Sequence, residues 1–384
     1  MNNKIDNFSQ EEKIRYARQT ILPMIGLEGQ ERLKNARVLM IGAGGLGSSP
    51  AIYLAAAGVG TIGIVDPDVV SLSNLHRQIL HYTFDIDKPK VVSAAEKLKQ
   101  INPHVNIVTH QARLSAGNAK SIFADYDLII DGTDNLPSRY LINDACFFAK
   151  KNFIFGGVQQ FEGQLSIFGS GGPCYRCIFR ELPPPGEMPS CAEAGVIGVV
   201  PGIIGLMQAN EAIKWICGIG EPLLGRLLIF DALSARWREV KIKKDPECPL
   251  CGTHPTIRAL EEYTWQCATE VSTAGQSGQV GEITVRELKQ LRDKEPDLYL
   301  LDVREEAEWN IARIEGAHLK PLSILKGNFE DIPKDKSVYC FCKLGGRSAK
   351  AIEFLKSQGY TDLVLVKGGI QAWSEEIDRT VAQY

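Results

Sequence analysis

The feature that most constrains the fold is a glycine-rich turn between a strand-like and a helix-like segment. Residues 37–41 (RVLMI) are apolar after the first position and run into GAGGLG at 42–47, which SSPAIYLAAAG follows with helical composition. A G-x-G-x-x-G turn between a strand and a helix lets backbone N–H groups and the helix N-terminus face a phosphate. Asp66 ends the next predicted strand, where its carboxylate could accept hydrogen bonds from ribose hydroxyls. A nucleotide site is predicted, and the alternative is a tight glycine turn without a ligand.

The rest of the chain divides by composition into two α/β regions. Its 384 residues are enough for two or three domains. Val- and Ile-rich runs alternate with helical patterns up to about residue 244, which predicts a Rossmann-like domain with a mainly parallel sheet. A Cys-, Pro-, Ser- and Gly-containing stretch follows, and a smaller βα alternation then restarts. We predict a nucleotide-binding domain at 1–256, a linker at 257–281 and a second α/β domain at 282–384.

Charge and hydropathy exclude several kinds of partner. The formal net charge is -3, which provides no general attraction to nucleic acid or to an anionic membrane. The longest uncharged stretch, 194–210, is interrupted by Gly and Pro and is too short to span a bilayer. The first residues lack the order of a signal peptide, so we expect a cytoplasmic protein. Its ten cysteines are too few for a disulfide scaffold, and they are better explained as metal ligands, nucleophiles or core thiols.

Charged side chains around the predicted turn favour a triphosphate over a dinucleotide. SNLHRQ at 73–78 and Lys90 place two cations and an amide near the nucleotide, more positive charge than hydride transfer needs. DGTDN at 131–135 follows another predicted strand and brings carboxylates to the same sheet edge, where they could hold Mg²⁺. The alternative for Arg77 and Lys90 is a solvated, salt-bridging face.

Two Cys-x-x-Cys pairs, 174/177 and 248/251, supply four thiolates. Four thiolates form a closed tetrahedral Zn²⁺ site, which is structural because no ligand position stays open. From spacing alone, a redox pair or plain core thiols remain alternatives.

A further cysteine, Cys342, lies between the strand-like SVYCF and the helix-like SAKAIEFLK. Backbone N–H groups and a helix N-terminus converge on such a position and stabilise a thiolate or an anionic persulfide. Arg347 adds a positive charge, whereas Cys340 is predicted to be a core residue.

In its first two-thirds the chain resembles the ubiquitin-activating-like adenylyltransferases of sulfur-carrier pathways, a family that includes the molybdopterin-synthase activators and their thiamine relatives. The resemblance covers about 15–251 and rests on ordered motifs, among them RYARQ, GAGGLG, the phrase ending in SNLHRQ, DGTDN, RYLINDAC, GGPCYRCIF and CAEAGVIGVVPGIIG. It implies that the C-terminal Gly-Gly carboxylate of a ubiquitin-like carrier attacks the α-phosphate of ATP. It also implies zinc at the four cysteines, Mg²⁺ at Asp134, and a homodimer in which Arg18 reaches the partner's site. The nucleotide-binding residues it implies are Gly42, Gly44, Gly45, Gly47, Asp66, Ser73, Asn74, Leu75, His76, Arg77, Lys90, Asp134 and Asn135.

Cys191 follows a proline-rich segment, PPPGEMPSC, which predicts an exposed loop. In some members of the family this position forms a thioester or a transient disulfide with the carrier. We therefore assign Cys191 as a second nucleophile, with a bystander thiol as the alternative.

Residues 282–373 resemble the rhodanese domain, through LLDVREEAEW, IEGAHLKP, CKLGGRS and VKGGIQAW. The chain departs from the usual Gly-His-Ile motif by reading Ala312-Arg313-Ile314, which concerns local packing more than chemistry. A protein phosphatase and an inactive rhodanese are the alternatives, although a phosphatase prefers a longer loop and an upstream histidine.

Together the resemblances imply that Cys342 carries a persulfide whose sulfur displaces AMP from the adenylated carrier and leaves a thiocarboxylate. Thiosulfate and a cysteine-desulfurase persulfide are both possible sulfur donors. The pathway stays open among molybdopterin, thiamine, cysteine and tRNA thiolation. A nicotinamide-dependent oxidoreductase fused to a sulfurtransferase and a non-catalytic zinc-bearing scaffold are the two other classes of function.

Overall fold

The computed structural model describes residues 7–183, 195–263 and 281–384. These form two compact units, the first up to residue 263 and the second from residue 281. Cys191 and Cys267 lie outside the described residues. Across the described ranges, no helix is both long and apolar enough to cross a membrane.

The first unit is built around one eight-stranded sheet. Its strands are β1 (Arg37–Ile41), β2 (Thr61–Val65), β3 (Asn106–His110), β4 (Leu128–Asp131), β5 (Asn152–Gln159), β6 (Glu162–Gly169), β7 (Arg226–Asp231) and β8 (Arg236–Lys241). Its helices are α1 (Gln10–Arg15), α2 (Ala17–Thr20), α3 (Gly26–Asn35), α4 (Gly45–Ala57), α5 (Lys90–Ile101), α6 (Ala116–Ala124), α7 (Leu136–Phe148) and α8 (Val199–Cys217).

The spatial order of the strands is β3-β2-β1-β4-β5-β6-β7-β8. The chain adds strands on one side of β1 up to β3 and then crosses to the other side with β4, so the order reverses next to β1. The five neighbouring strands β3, β2, β1, β4 and β5 pair in parallel. Strands β6, β7 and β8 follow, and each pairs antiparallel with the strand before it. Alternate residues of β1 enter two separate hydrophobic clusters, Val38 and Met40 on one face and Leu39 and Ile41 on the other. Both faces of this strand are buried, as its unbroken apolar run predicts. The prediction of a mainly parallel α/β sheet is therefore confirmed.

Close backbone packing at the end of β1 requires glycine. Gly42 has φ +96°, and a Cβ there would lie 2.8 Å from the carbonyl oxygen of Gly132, just beyond β4. A Cβ on Gly47 would lie 2.0 Å from the carbonyl oxygen of Gly42. The glycines thus draw the first turn of α4 against the ends of β1 and β4, and the space above these ends stays open.

The second unit is a smaller parallel sheet, with strand order β11-β10-β12-β13-β9. Its strands are β9 (Gly281–Ile283), β10 (Tyr299–Asp302), β11 (Ala317–Leu319), β12 (Val338–Phe341) and β13 (Leu363–Val366). Its helices are α9 (Val285–Lys294), α10 (Glu306–Ile311), α11 (Leu322–Leu325), α12 (Gly346–Ser357) and α13 (Gly369–Glu376). The turn between β12 and α12 contains Cys342.

Two candidate active sites and a four-cysteine cluster

A cleft opens at the carboxyl ends of β1 and β4, where the strand order reverses and where open α/β sheets bind their ligands. Eight of the residues implied in nucleotide binding line this one cleft: Gly42, Gly44, Gly45, Asp66, Arg77, Lys90, Asp134 and Asn135. They come from five separate segments, and the topology brings them together.

Asp66 anchors the glycine turn from below. One carboxylate oxygen accepts the backbone N–H of Ala43 at 2.8 Å, and the other accepts that of Asp68 at 2.8 Å. Burial raises the pKa of Asp66, while the charge of Lys90 and the two N–H groups act in the opposite direction. Each carboxylate oxygen keeps a free lone pair, so the side chain can hold the turn and still accept a ribose hydroxyl.

The two predicted phosphate-binding cations, Arg77 and Lys90, are already positioned by protein groups. The Nη1 of Arg77 donates to the carbonyl oxygen of Ser73 at 3.0 Å and lies 2.6 Å from the Nε2 of His76. Lys90 is almost buried, and its Nζ lies 3.1 Å from the carboxylate of Asp68. Burial and the charge of Arg77 lower the pKa of His76, which favours the neutral ring as an acceptor. The arrangement can place positive charge on two sides of a polyphosphate.

The DGTDN segment is held by a buried ion pair beneath it. Arg139 binds the fully buried Asp131 with its Nε at 3.1 Å, and its Nη2 donates to the carbonyl oxygens of Thr133 and Gly156. Asn135 caps α7 by accepting the backbone N–H of Ser138 at 3.0 Å. Asp134 stays exposed at the rim, so its carboxylate is the one in this segment available to a cation.

The remaining residues implied in nucleotide binding lie beside the cleft instead of lining it. Gly47 packs against Gly42, and the carbonyl oxygen of Ser73 holds Arg77. Asn74 accepts a hydrogen bond from the Nε2 of Gln78 at 2.6 Å, and Gln78 does line the cleft. The last members of this group, Leu75 and His76, follow in the same segment.

The four predicted zinc ligands form one cluster. All their Sγ atoms lie within 4.8 Å of one another, and Cys174 and Cys248 approach to 3.5 Å and Cys177 and Cys251 to 3.4 Å. Four sulfurs bound at about 2.3 Å to one tetrahedral Zn²⁺ lie about 3.8 Å apart, so the spacing fits a four-thiolate zinc site. The backbone N–H groups of Asp245 and Cys251 point at two of the sulfurs, as expected around thiolates.

The first Cys-x-x-Cys pair is itself anchored by a buried ion pair. Arg176, between its two cysteines, binds Asp144 through two hydrogen bonds of 2.9 Å. The hydroxyl of Tyr263 donates to the same carboxylate at 2.6 Å, and the Arg176 guanidinium lies over the ring of Tyr140. Residues up to Tyr263, inside the predicted linker, therefore pack on the first unit.

In the second unit, the sulfur of Cys342 lies in a cradle of donors. The backbone N–H of Gly345 lies 3.1 Å from Sγ, and the hydroxyl of Ser348 lies 3.6 Å away. The side chain is fully buried, and Gly346 opens α12. Cys340 points into the core on the opposite side of β12 from Phe341. The cradle can stabilise negative charge on a thiolate or on a persulfide.

Arg347 does not point freely into solvent beside this sulfur. Its two terminal nitrogens bind both oxygens of Glu308, one of them at 2.7 Å. Although burial alone would lower it, the hydrogen bonds and the charge of Glu308 raise the pKa of Arg347 above its usual range, with a smaller contribution from Cys342. Arg347 is therefore a permanent cation, held by the Glu308 carboxylate within the turn that contains Cys342.

Several residues at these sites were not predicted from the sequence. Arg113 lines the cleft three residues beyond β3, so the rule that ligands bind at carboxyl strand ends could have identified it. Asp68, which pairs with Lys90, and Glu308, which pairs with Arg347, are distant from their partners in sequence. Glu308 lies within LLDVREEAEW, but that motif does not indicate the pairing.

Comparison with known proteins agrees with this division. Residues 16–250 match the ThiF family, and residues 284–376 match the rhodanese-like domain. A relative described as a probable adenylyltransferase/sulfurtransferase, MoeZ of Mycobacterium tuberculosis, is 45% identical over 383 residues, covering 98% of this chain and 96% of the relative. A sulfur carrier protein adenylyltransferase of Thermus thermophilus is 49% identical over 266 residues, covering 68% of this chain and 98% of the relative.

A relative from Sus scrofa has the same two-part description. This adenylyltransferase and sulfurtransferase, MOCS3, is 39% identical over 402 residues, covering 98% of this chain and 88% of the relative. Among solved structures, Escherichia coli MccB superposes with a TM-score of 0.56 at 22% identity, over 64% of this chain and 76% of MccB. That likeness concerns the fold.

Proposed function

The chain belongs to the ThiF family and is an adenylyltransferase and sulfurtransferase, and from that premise we propose a two-step reaction on a ubiquitin-like sulfur carrier. In the first step the carrier's C-terminal Gly-Gly carboxylate is adenylated with ATP. In the second step its adenylate is converted into a thiocarboxylate. The observation that carries the proposal is the presence, in one chain, of a cation-lined nucleotide cleft and a cysteine cradled at a strand-to-helix turn.

The cleft suits the first step because attack of a carboxylate on a polyphosphate brings two anions together. A carboxylate oxygen bonds to the α-phosphorus, and pyrophosphate leaves with the bonding electron pair. Such a reaction needs fixed positive charge and in-line alignment more than a strong base. We assign Arg77 and Lys90 to the phosphates, Asp66 to the ribose and the glycine turn to the close approach of the phosphate chain. Asp134 would hold Mg²⁺, which neutralises phosphate charge when bound.

The cradle suits the second step because the N–H of Gly345 and the hydroxyl of Ser348 can stabilise an anionic persulfide. The outer sulfur of the Cys342 persulfide attacks the carrier's acyl carbon, and AMP leaves. This gives an acyl disulfide, which a second thiolate cleaves by attacking the Cys342 sulfur and releasing the thiocarboxylate. A disulfide between Cys342 and the second cysteine remains, and a cellular thiol reduces it. Cys191 stays our proposal for the second thiolate, with thiosulfate or a cysteine-desulfurase persulfide as the sulfur donor.

For the four-cysteine cluster we propose zinc with a structural role. Four thiolates leave no position open for a substrate, and they join segments 174–177 and 248–251 across the first unit. Metal analysis of the purified chain should find one zinc, and Cys248→Ser should lose it together with several kcal/mol of stability. A protein that is fully stable after exhaustive metal removal would contradict this role. Because free thiolates and persulfides need reducing conditions, we propose that the protein works in the cytoplasm.

We also propose a homodimer in which Arg18 completes the partner's cleft. Arg18 is exposed on α2 and makes no ion pair with the part of the chain that the structure describes. Large apolar side chains lie exposed near it in sequence, with Ile14, Ile21 and Met24 each about two-thirds exposed. Mixing inactive Arg18→Ala and Arg77→Ala variants and letting their subunits exchange should restore about a quarter of the activity, because each mixed dimer has one intact cleft. Failure to restore activity, with subunit exchange verified, would place Arg18 outside the mechanism.

The whole reaction is tested by mass spectrometry of candidate Gly-Gly carriers. Each carrier is incubated with the full chain, ATP, Mg²⁺, thiosulfate and a thiol reductant. Exchange of one oxygen for sulfur adds about 16 Da to the carrier and requires both steps. A panel of carriers from the competing pathways identifies the substrate, and an unchanged mass for all of them would contradict the proposal.

A further inference from the structure

Tyr384 lies between the two positively charged side chains of the turn that contains Cys342. Its hydroxyl donates to Glu308 at 2.9 Å, and Glu308 in turn binds Arg347. Lys343 donates to the main-chain oxygen of Tyr384, and its Nζ lies 4.5 Å from the centre of the Tyr384 ring. One tyrosine thus contacts Lys343 directly and Arg347 through a single carboxylate.

The direction of the Tyr384 hydroxyl is fixed by a buried pair behind it. Arg304 and Asp302 are fully buried and bind each other, and Arg304 also donates to the carbonyl oxygen of Ala312 at 2.8 Å. The Nη1 of Arg304 donates to the Tyr384 oxygen at 2.6 Å. An arginine can only donate, so the hydroxyl proton of Tyr384 must be the one that reaches Glu308.

This chain of hydrogen bonds divides the negative charge of Glu308. Its carboxylate accepts from Arg347 and also from a hydroxyl that Arg304 polarises. Although burial alone would raise it, the bonds from Arg347 and Tyr384 lower the pKa of Glu308. A carboxylate that shares its charge with a second donor neutralises Arg347 less completely. More of the Arg347 field then remains for the sulfur of Cys342.

We propose that Tyr384 is a positioning residue of the sulfurtransferase site: it draws charge from Glu308, so that Arg347 keeps its positive field directed at the Cys342 sulfur and at an anionic sulfur donor. The inference rests on the proposed sulfur transfer. It assigns a role to a residue outside the Cys342 turn that touches neither the sulfur nor the donor.

The test uses the full chain and the transfer of sulfur from thiosulfate to cyanide. The Cys342 thiolate takes the outer sulfur of thiosulfate and releases sulfite, and cyanide then removes that sulfur as thiocyanate. Tyr384→Phe should raise the KM for thiosulfate about three- to tenfold and leave kcat within about twofold, since the hydrogen bonds of the hydroxyl to Arg304 and Glu308 are lost but the cradle is not. The pH profile for alkylation of Cys342 by iodoacetamide should move to higher pH in this variant.

Glu308→Gln supplies the opposite perturbation, because it removes the charge that opposes Arg347. Its alkylation profile should move to lower pH. The matched control is Tyr339→Phe. Tyr339 lies near the amino end of β12, whereas Cys342 follows the carboxyl end of the same strand. This control should leave both the KM and the profile unchanged.

The outcomes distinguish a positioning role of Tyr384 from a general loosening of the site and from a failure of the proposed sulfur transfer. If Tyr384→Phe and Glu308→Gln move the alkylation profile in the same direction, the effect is general loosening and the proposal is wrong. It is equally wrong if Tyr384→Phe leaves the KM and the profile of the parent protein. A parent chain that makes no thiocyanate would instead overturn the sulfur transfer itself.

Discussion

The two candidate sites use the same local device, a turn from a parallel strand into a helix, and differ in what the turn carries. After β1 the turn has lost nearly all side chains, and its glycines press against the ends of two strands. After β12 the turn carries a thiol, whose sulfur occupies the space in front of the helix N-terminus. One turn is therefore shaped to receive an anion from outside, and the other holds its own anion.

The cations around the two turns differ in how firmly protein groups hold them. Arg77 and Lys90 line an open cleft and rest on a carbonyl oxygen and on an exposed carboxylate, partners that a triphosphate can replace. Arg347 is bound at both ends of its fork by a largely buried carboxylate. The first set can move onto a ligand, whereas the second set acts from a fixed position. Substitutions at each turn should therefore fail in different ways.

The largest expected effect is at the second turn. Cys342→Ser should reduce sulfur transfer from thiosulfate to cyanide to the uncatalysed background, because the nucleophile itself is removed. Carrier-dependent ATP/pyrophosphate exchange should stay at the parent rate. The matched control is Cys340→Ala, another buried cysteine on the same segment, which should retain sulfur transfer. Activity that survives in Cys342→Ser would remove this turn from the chemistry.

At the first turn, Arg77→Ala should lower carrier-dependent ATP/pyrophosphate exchange about 10³-fold, the usual cost of removing one donor from a site that stabilises developing charge. Thiosulfate-to-cyanide transfer should not change. Arg236→Ala, an exposed arginine on the edge strand β8, serves as the control for a simple loss of charge. Near-normal exchange in Arg77→Ala would contradict its assignment to the phosphates.

Two glycine substitutions separate the shape of the first turn from its ligand. Gly47→Ala puts a methyl group 2.0 Å from a carbonyl oxygen, so it should destabilise the first unit by roughly 3 kcal/mol in denaturant unfolding. Gly44→Ala meets only the end of the Gln78 side chain, at 3.6 Å. It should fold normally and bind ATP about tenfold more weakly, because the phosphate can no longer approach the backbone. Equal stability of the two variants would show that the turn tolerates displacement.

Most of the first unit's parallel half could be predicted from the sequence, because strands buried on both faces appear as unbroken apolar runs. The antiparallel end could not be predicted so readily. Every residue of β8, RWREVK, is exposed, so the strand lacks a buried face that would produce an alternating pattern. β8 forms because the edge of β7 offers it hydrogen-bond partners, and the sequence of β8 alone does not show this.

The candidate sites show a similar limit. Residues that act through a turn, such as Cys342 and the glycines at 42–47, have neighbours in sequence that indicate their role. Residues that act through another side chain do not. Glu308 lies 39 positions from Arg347, and Tyr384 lies 76 positions from Glu308, so only the folded chain reveals these contacts.

The smallest expected effect concerns a buried ion pair at α5, the helix that begins at Lys90. Asp85 is fully buried and binds Lys97, seven residues along α5 from Lys90. Burial alone would raise its pKa, but the bonds from Lys97 and the Tyr82 backbone lower the pKa of Asp85 to about 2. With an unfolded value near 3.8, the charged carboxylate contributes about 2 kcal/mol above pH 4, and this is lost as the pH falls from about 4 to 2.

Asp85→Asn should therefore speed hydrogen exchange in residues 82–97 at neutral pH, and its difference from the parent chain should shrink below about pH 4. Comparing the two chains at each pH cancels the intrinsic exchange rate. Asp87→Asn is the matched control, because Asp87 is exposed and its positive φ of 68° suits asparagine. A difference between Asp85→Asn and the parent that stays constant down to pH 2 would mean that the pair contributes packing and not charge.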